Sequence, residues 1–309
     1  MCFAYLSPDK DIDLREKIIQ LLLKYPPMGD LKAYGKNNKF KISCVFVFYK
    51  RMDLMENILH CLNSQNFEKD SFEVVLVEDK GGSETGQNFI NQYPELNIFY
   101  HAASEDGWGK IGYLRNLGLS KSRGKYVLFL DDDTVINDET FLEKLDTLFS
   151  NDNDLQAVVP RGQAAFSIIE GKYSYHDPFY LTNRCVAYRR SCLNEMGGFD
   201  SNFIGQEDVE FAIRFTAKGF KLLKTDTLNY YHPPLVYNDL SKGKAVGASF
   251  ANAKYGFLMK LLLFINGTRW LPLIVIPKLK YRYMGMFAAG FAIGFIQTVF
   301  FVKGSVEYS

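Results

Sequence analysis

The chain has 309 residues, with 36 Lys or Arg against 35 Asp or Glu and a formal net charge of +1. That balance excludes the broad basic field of a nucleic-acid binder, and the length suits one large domain with appendages. Its five cysteines, Cys2, Cys44, Cys61, Cys185 and Cys192, form no CxxC pair, so reduced, buried thiols are expected rather than zinc ligands or disulfides.

Asp9, Asp11 and Asp13 interrupt any apolar run at the start, so no secretory leader is expected. Residues 1–38 read as an N-terminal helical extension. Apolar residues recur at helical spacing from Asp13 to Leu23, and Pro26-Pro27 stops the pattern. From Lys41 to Tyr49 a β-rich apolar run predicts a strand, followed by a helix with Leu54, Ile58 and Leu62 on one face. A second strand, Phe72 to Val77, ends in Glu78-Asp79 and a turn at Gly81-Gly82, and Asn97 to His101 gives a third. A helix over Ile111 to Ser120 leads into a fourth, Tyr126 to Leu130, which runs into Asp131-Asp132-Asp133.

This alternation predicts an α/β domain over residues 39–235, a Rossmann-like, mostly parallel sheet flanked by helices. Open sheets of this kind bind ligands beyond the carboxyl ends of their strands. Tyr49-Lys50-Arg51, Glu78-Asp79 and Asp131-Asp132-Asp133 are three polar strand ends that point to one crevice, although any one of them alone is what a strand meeting solvent looks like. Three carboxylates at the end of a buried strand are costly without a cation. Oxygen donors there suit Mg²⁺ or Mn²⁺, ions that also grip phosphate oxygens. The competing use of such acids is capping, but Asn137 or Asp138 is expected to cap the helix beginning near Glu139.

Beyond residue 150 the alternation loosens. Leu155 to Val159 reads as an edge strand and residues 161–182 as a long loop, a length that is usually functional or disordered. Val209, Ala212, Ile213 and Thr216 then share one helical face, with Gly219 as the stop. Glu207 and Asp208 fall in the first turn of that helix. Acids there stabilise the helix dipole by ~0.3–1 kcal/mol. The same pair also suits proton abstraction from a hydroxyl, because a neighbouring anion raises the pKa of the base.

The Leu-Asp-Asp-Asp run at 130–133, Gly197-Gly198-Phe199-Asp200, the Glu207-Asp208 pair and Leu114-Arg115-Asn116-Leu117-Gly118 together resemble the family 2 glycosyltransferases of GT-A fold, over roughly residues 41–235. The resemblance implies an inverting, metal-dependent transfer of a sugar from a nucleotide-diphosphate donor, UDP-linked in the first instance, to a hydroxyl acceptor on a glycan or lipid-linked saccharide. By the same resemblance Asp131 lies near the ribose and, with Asp133, serves as a metal ligand. Asp79 contacts the base, and Phe48, Tyr49 and Arg115 complete the nucleotide site. Asp208 is the catalytic base beside Glu207, and His232 is a further metal ligand, the alternative being a packed histidine. Two departures touch the nucleotide pocket. The first strand ends Val47-Phe48-Tyr49-Lys50-Arg51 without the usual Pro turn and Tyr-Asn pair, and the second ends Glu78-Asp79-Lys80 instead of Asp-Asp-Gly, so a base other than uracil stays open. Two rival readings are a haloacid-dehalogenase-like phosphatase, from Asp131-x-Asp133, and a non-catalytic nucleotide-sugar-binding module.

Met284 to Val302 carries no charged residue and, as a helix, would span roughly 28 Å, close to a ~30 Å hydrocarbon core. Gly290 and Gly294 form a GxxxG spacing suited to close helix packing; a buried core helix is the alternative. Lys278, Lys280 and Arg282 just before it point to the cytoplasmic side by the positive-inside rule. Leu258 to Ile276, broken by Lys260, Arg269 and Pro272, reads as interfacial. Residues 236–309 are therefore expected to hold the protein on the cytoplasmic face of a membrane, with residues 284–309 as a removable anchor.

Overall fold

The structure, a computed structural model, describes residues 14–31, 39–164, 181–232, 240–277 and 279–300. Among the described residues seven strands form one mixed sheet in the order β3-β2-β1-β4-β6-β5-β7. They are β1 (Phe40–Phe48), β2 (Phe72–Glu78), β3 (Ile98–Ala102), β4 (Gly124–Asp131), β5 (Leu155–Ala164), β6 (Cys185–Arg189) and β7 (Lys221–His232). The first four run parallel; β6 is antiparallel to both β4 and β5, and β7 is parallel to β5. This is the expected mostly parallel α/β sheet. Its crossovers are α2 (Met52–Asn63), α3 (Glu84–Gln92) and α4 (Ile111–Lys121), and α5 (Phe141–Asn151), α6 (Arg190–Glu195) and α7 (Glu207–Lys218) complete the layers.

Successive side chains of a strand point to opposite faces, and β1 feeds two separate cores accordingly. Ile42, Cys44, Phe46 and Phe48 pack with α2, α3 and α5, while Val45 and Val47 pack with α4, α6 and α7. Burial on both faces explains the near-continuous apolar runs of β1, β2 and β4. Cys44, Cys185 and Cys192 are buried, and Cys61 is half-buried.

Three local expectations are corrected. Leu155–Val159 is not an edge strand: β5 lies between β6 and β7, and β7 is the edge. The helix after the acidic strand begins at Phe141 with Thr140 at its N-cap. Asp138 instead closes a turn, its Oδ1 accepting from Thr140 N at 2.9 Å and Thr140 Oγ1 at 2.7 Å. Of the loop expected at 161–182, residues 161–164 belong to β5 and 165–180 lie outside the described residues.

A third core joins the chain's two ends to the back of α7. It gathers Ile19 and Leu23 with α1 (Leu14–Leu22), Val209 and Ile213 of α7, and apolar residues of α8 (Leu240–Asn252), α9 (Phe257–Thr268) and α10 (Leu279–Phe300). The helices α8 and α10 cross backbone to backbone. A Cβ on Gly243 or Gly247 would sit 2.2 Å from the carbonyl oxygen of Phe287 or Phe291, and one on Gly290 or Gly294 would sit 2.0 Å from that of Leu240 or Lys244. The expected close packing at Gly290 and Gly294 is thus present within the chain.

Candidate functional site

Four strand ends and one helix start converge. β4 delivers Asp131, Asp132 and Asp133 into the turn that follows it. The edge strand β7 reaches the same turn because Val135 and Tyr231 exchange backbone hydrogen bonds, both 2.8 Å. That pairing carries His232 over the acids. Its Nε2 lies 2.8 Å from Asp133 Oδ1 and 3.8 Å from Asp131 Oδ2. One donor atom from each of Asp131, Asp133 and His232 falls within 4.8 Å of the others, a compact set of two carboxylates and an imidazole.

Cations balance this cluster. Arg51, immediately before α2, donates from Nη1 to Asp132 Oδ1 at 3.0 Å and Asp133 Oδ2 at 2.6 Å. Buried Arg115 on α4 bonds Asp131 Oδ1 and the Leu130 carbonyl. Burial alone would raise the Asp131 pKa, but the nearby His232 imidazole and the charge of Arg115 hold it well below the usual carboxylate range. Burial alone would lower the pKa of His232; the Asp131 and Asp133 carboxylates beside it instead lift it to about 9. Asp132 goes the other way, raised to about 6 by burial and by its acidic neighbours against the pull of Arg51.

The start of α7 adds the second carboxylate pair. Asp208 Oδ2 accepts from Thr182 Oγ1 at 2.5 Å and Asn183 N at 3.4 Å. Glu207 is buried, with Oε1 3.6 Å from Arg115 Nε and 3.5 Å from Asn183 Nδ2. Burial, with Asp208 alongside, pushes the Glu207 carboxyl up to about 7. Arg115 therefore ties Asp131 to Glu207, joining the two acidic groups into one site.

Beside it, Tyr49, Asp79, Lys80 and Gly82 line a cavity of about 230 Å³. Asp79 accepts from Gly109 N through both oxygens, at 3.0 and 3.2 Å. Lys50 and Lys80 each place an ammonium 4.9 and 5.2 Å from the centre of the Tyr49 ring. Such a ring and carboxylate pair can stack on a planar base and accept its N–H groups.

Backbone strain falls at the same places. Among the described residues three non-glycine positions have positive φ: Lys50 (58°), Lys80 (60°) and Gln206 (59°). They directly follow Tyr49 and Asp79 and directly precede Glu207. Left-handed conformations of this kind are costly for residues with a Cβ and cluster at functional sites.

The fold thus brings together Tyr49, Asp79, Asp131, Asp133, Glu207, Asp208 and His232. Two residues expected at the nucleotide are buried here. Phe48 is 1% exposed with its ring in the core, and its carbonyl accepts from Asp79 N. Arg115 is 3% exposed and lies behind the acids as a strut rather than facing an open pocket. Arg51, Thr182 and Asn183 were absent from the expected site. Arg51 was visible only as one of several polar residues at a strand end, and Thr182 and Asn183 sat at the end of a segment without periodicity.

The family model described as "Glycosyl transferase family 2" matches residues 43–203. Chondroitin synthase of Pasteurella multocida is 24% identical over 282 residues, covering 74% of this chain; the chain spans only 29% of that relative's length. S. aureus TarS 1–349, solved in complex with UDP-GlcNAc, superposes with a TM-score of 0.55 at 20% identity, covering 84% of this chain and 82% of that one. The mannosyltransferase PcManGT from Pyrobaculum calidifontis, solved with GDP-Man and Mn²⁺, gives a TM-score of 0.56 at 12% identity, covering 93% and 94%.

Proposed function

This chain belongs to glycosyl transferase family 2, and from that premise we propose that it moves a sugar, with inversion, from a nucleotide-diphosphate donor to a hydroxyl on a glycan or lipid-linked saccharide at the cytoplasmic face of a membrane. The observation that carries this reading is the convergence of Asp131, Asp133 and His232 at one point, with Asp208 joined to them through Glu207 and Arg115.

The donor set fits a divalent cation. Two carboxylates and an imidazole suit Mg²⁺ or Mn²⁺, and the imidazole favours Mn²⁺ of the two. Asp131, Asp133 and His232 would hold it, His232 giving up its proton to do so. Bound there, the ion would neutralise charge on the departing diphosphate. The chain's own residues account for the rest. The Tyr49 and Asp79 cavity binds the base. Asp208, oriented by Thr182 and Asn183, takes the proton of the acceptor hydroxyl while its oxygen bonds to the anomeric carbon. The bond from that carbon to the diphosphate breaks on the opposite face, which inverts the centre.

Similar folds have been solved with a UDP-sugar and with a GDP-sugar, so the fold alone does not select the base. Asp79 and Tyr49 support a base presenting N–H donors, and a UDP-sugar is the first donor to test. The glycan acceptor is supported by the likeness to a chondroitin synthase, and membrane association by two apolar C-terminal segments.

The test is donor hydrolysis and transfer across a panel of nucleotide sugars with Mn²⁺ and with excess chelator. Release of nucleotide diphosphate, lost in chelator and in Asp133→Ala, is the expected result. Full turnover in chelator would overturn the metal role, and release of inorganic phosphate would favour a phosphatase.

A further inference from the structure

Residues 240–306 contain nine Lys or Arg and no Asp or Glu, in a chain that is nearly neutral overall. The same stretch holds most of the exposed apolar surface. Of nineteen large hydrophobic side chains exposed among the described residues, twelve lie between 257 and 300.

These side chains are arranged as stripes. On α9, Met259, Leu263 and Gly267 turn inward, and Leu258, Leu261 and Ile265 are exposed. On α10, Phe287, Phe291 and Phe295 join the core, and Ile293, Ile296 and Phe300 are exposed. A 3₁₀ turn, Leu271–Val275, connects the two helices and leaves Val275 82% exposed. A surface helix ordinarily turns polar residues away from its buried stripe. Here both helices turn Leu, Ile and Phe outward as well, leaving a contiguous exposed apolar face of the kind that marks a membrane or partner contact.

The packing argues against spanning. Four glycines lock α10 to the backbone of α8, and Val246 and Phe250 of α8 share a core with Phe203 and Val209 of the sugar-transfer domain. Drawing α10 through a bilayer would tear α8 from that core. With twelve residues, α9 reaches only ~18 Å, short of a ~30 Å hydrocarbon core. Charge selects the partner. A second copy would bring like charges together, whereas an anionic headgroup layer complements Lys254 and Arg282, exposed just before α9 and in the first turn of α10.

We infer that the α9–α10 face docks in the plane of an anionic lipid bilayer without crossing it. The inference rests on the proposed sugar transfer only for what the docking serves; the docking is read from residues 240–306, and its test does not depend on turnover.

The experiment is co-sedimentation of the full-length protein with phosphatidylcholine vesicles, with and without phosphatidylglycerol. Strong retention on the phosphatidylglycerol vesicles is expected, falling about tenfold or more as ionic strength rises from about 0.1 to about 1 M and charges are screened. The triple variant Leu258→Glu, Ile265→Glu, Val275→Glu changes only exposed positions. It should lose vesicle binding by a similar factor while keeping the wild-type circular dichroism melt and donor hydrolysis. Lys254→Glu with Arg282→Glu should lose the preference for phosphatidylglycerol. Wild-type protein left in the supernatant with every vesicle would overturn the inference, as would a triple variant that still binds. Self-association abolished by the triple variant, without vesicle binding, would assign the face to a second copy instead. Retention in vesicles through alkaline carbonate washing would show spanning, also against it. Vesicle binding without any donor hydrolysis would leave the docking standing and remove the sugar-transfer reading.

Discussion

Asp208 and Glu207 are neighbours in one helical turn, yet the fold gives them different surroundings. Asp208 is partly accessible and held by Thr182, so it can meet an acceptor hydroxyl; Glu207 is buried against Arg115 and Asn183. Asp208→Asn keeps an oxygen for Thr182 but cannot take a proton, so turnover should fall by ~10²–10⁴ with donor affinity unchanged. Single-turnover transfer beside donor titration reads the two separately; normal transfer in Asp208→Asn with loss in Glu207→Gln would exchange the roles. Glu207 also makes a stability prediction. Its folded pKa, about 7, lies above its ordinary 4.5. Between those values the native state keeps a proton that the unfolded chain has lost, so stability falls as pH rises through this window. Below 4.5 the contribution is complete, and above 7 it is gone. The wild type should therefore lose stability relative to Glu207→Gln across this window, by on the order of a few kcal/mol at most. Urea midpoints measured in parallel check it, and parallel pH slopes would refute it. The acids of the site were legible in the sequence because apolar strands end abruptly in charge. Thr182, Asn183 and Arg51 were not, because a hydroxyl, an amide or one more surface arginine carries no periodic signal; only the fold reveals what each touches.

At the scale of elements, legibility followed burial. β1, β2 and β4 are covered on both faces and read as continuous apolar runs, so their positions were plain. β7 lies at the sheet edge with Lys221, Thr225 and Thr227 exposed or half-buried, and β6 is only five residues long. β7 lacks the uniform hydrophobicity of a central strand, and β6, although buried, is too short to stand out, so both were missed, and β5 was mistaken for an edge. The α8–α10 crossing lies between these cases. The glycine spacing of α10 was visible, but its partner, Gly243 and Gly247, was not, since nothing local says which helix a glycine stripe will meet. That partnership is testable. Gly294→Val would place a Cβ 2.0 Å from the Lys244 carbonyl, forcing the helices apart. Overpacking of this kind costs about 1–3 kcal/mol. A drop of that size in urea-unfolding stability is expected, whereas a helix free of the globular domain would leave it unchanged.

Across the whole molecule, the near-zero net charge conceals a division. The C-terminal stretch from 240 to 306 is wholly basic, and the acidic excess falls on the part that carries the site. Sequence alone suggested that this stretch begins as a surface segment and ends in a detachable anchor. The third core argues otherwise. Phe287, Phe291 and Phe295 of α10 pack in the same cluster as Val209 and Ile213, which lie on the helix whose first turn holds Glu207 and Asp208. Removing residues 284–309 would take three buried aromatic side chains from behind that helix and uncover the glycine face of α8. Truncating a single buried Phe to Ala typically costs about 3–5 kcal/mol, against a total stability of ~5–15 kcal/mol for a typical protein. The truncated chain should therefore lose its cooperative melt and its donor hydrolysis together, rather than emerge as a soluble, active enzyme. Thermal unfolding followed by circular dichroism, beside a hydrolysis assay on the same preparation, decides it. A truncated protein that melts at the wild-type temperature and turns over donor at the wild-type rate would show that α10 supports nothing but its own attachment. The paired loss would show instead that the apolar C-terminal helices are part of the body that positions Glu207 and Asp208.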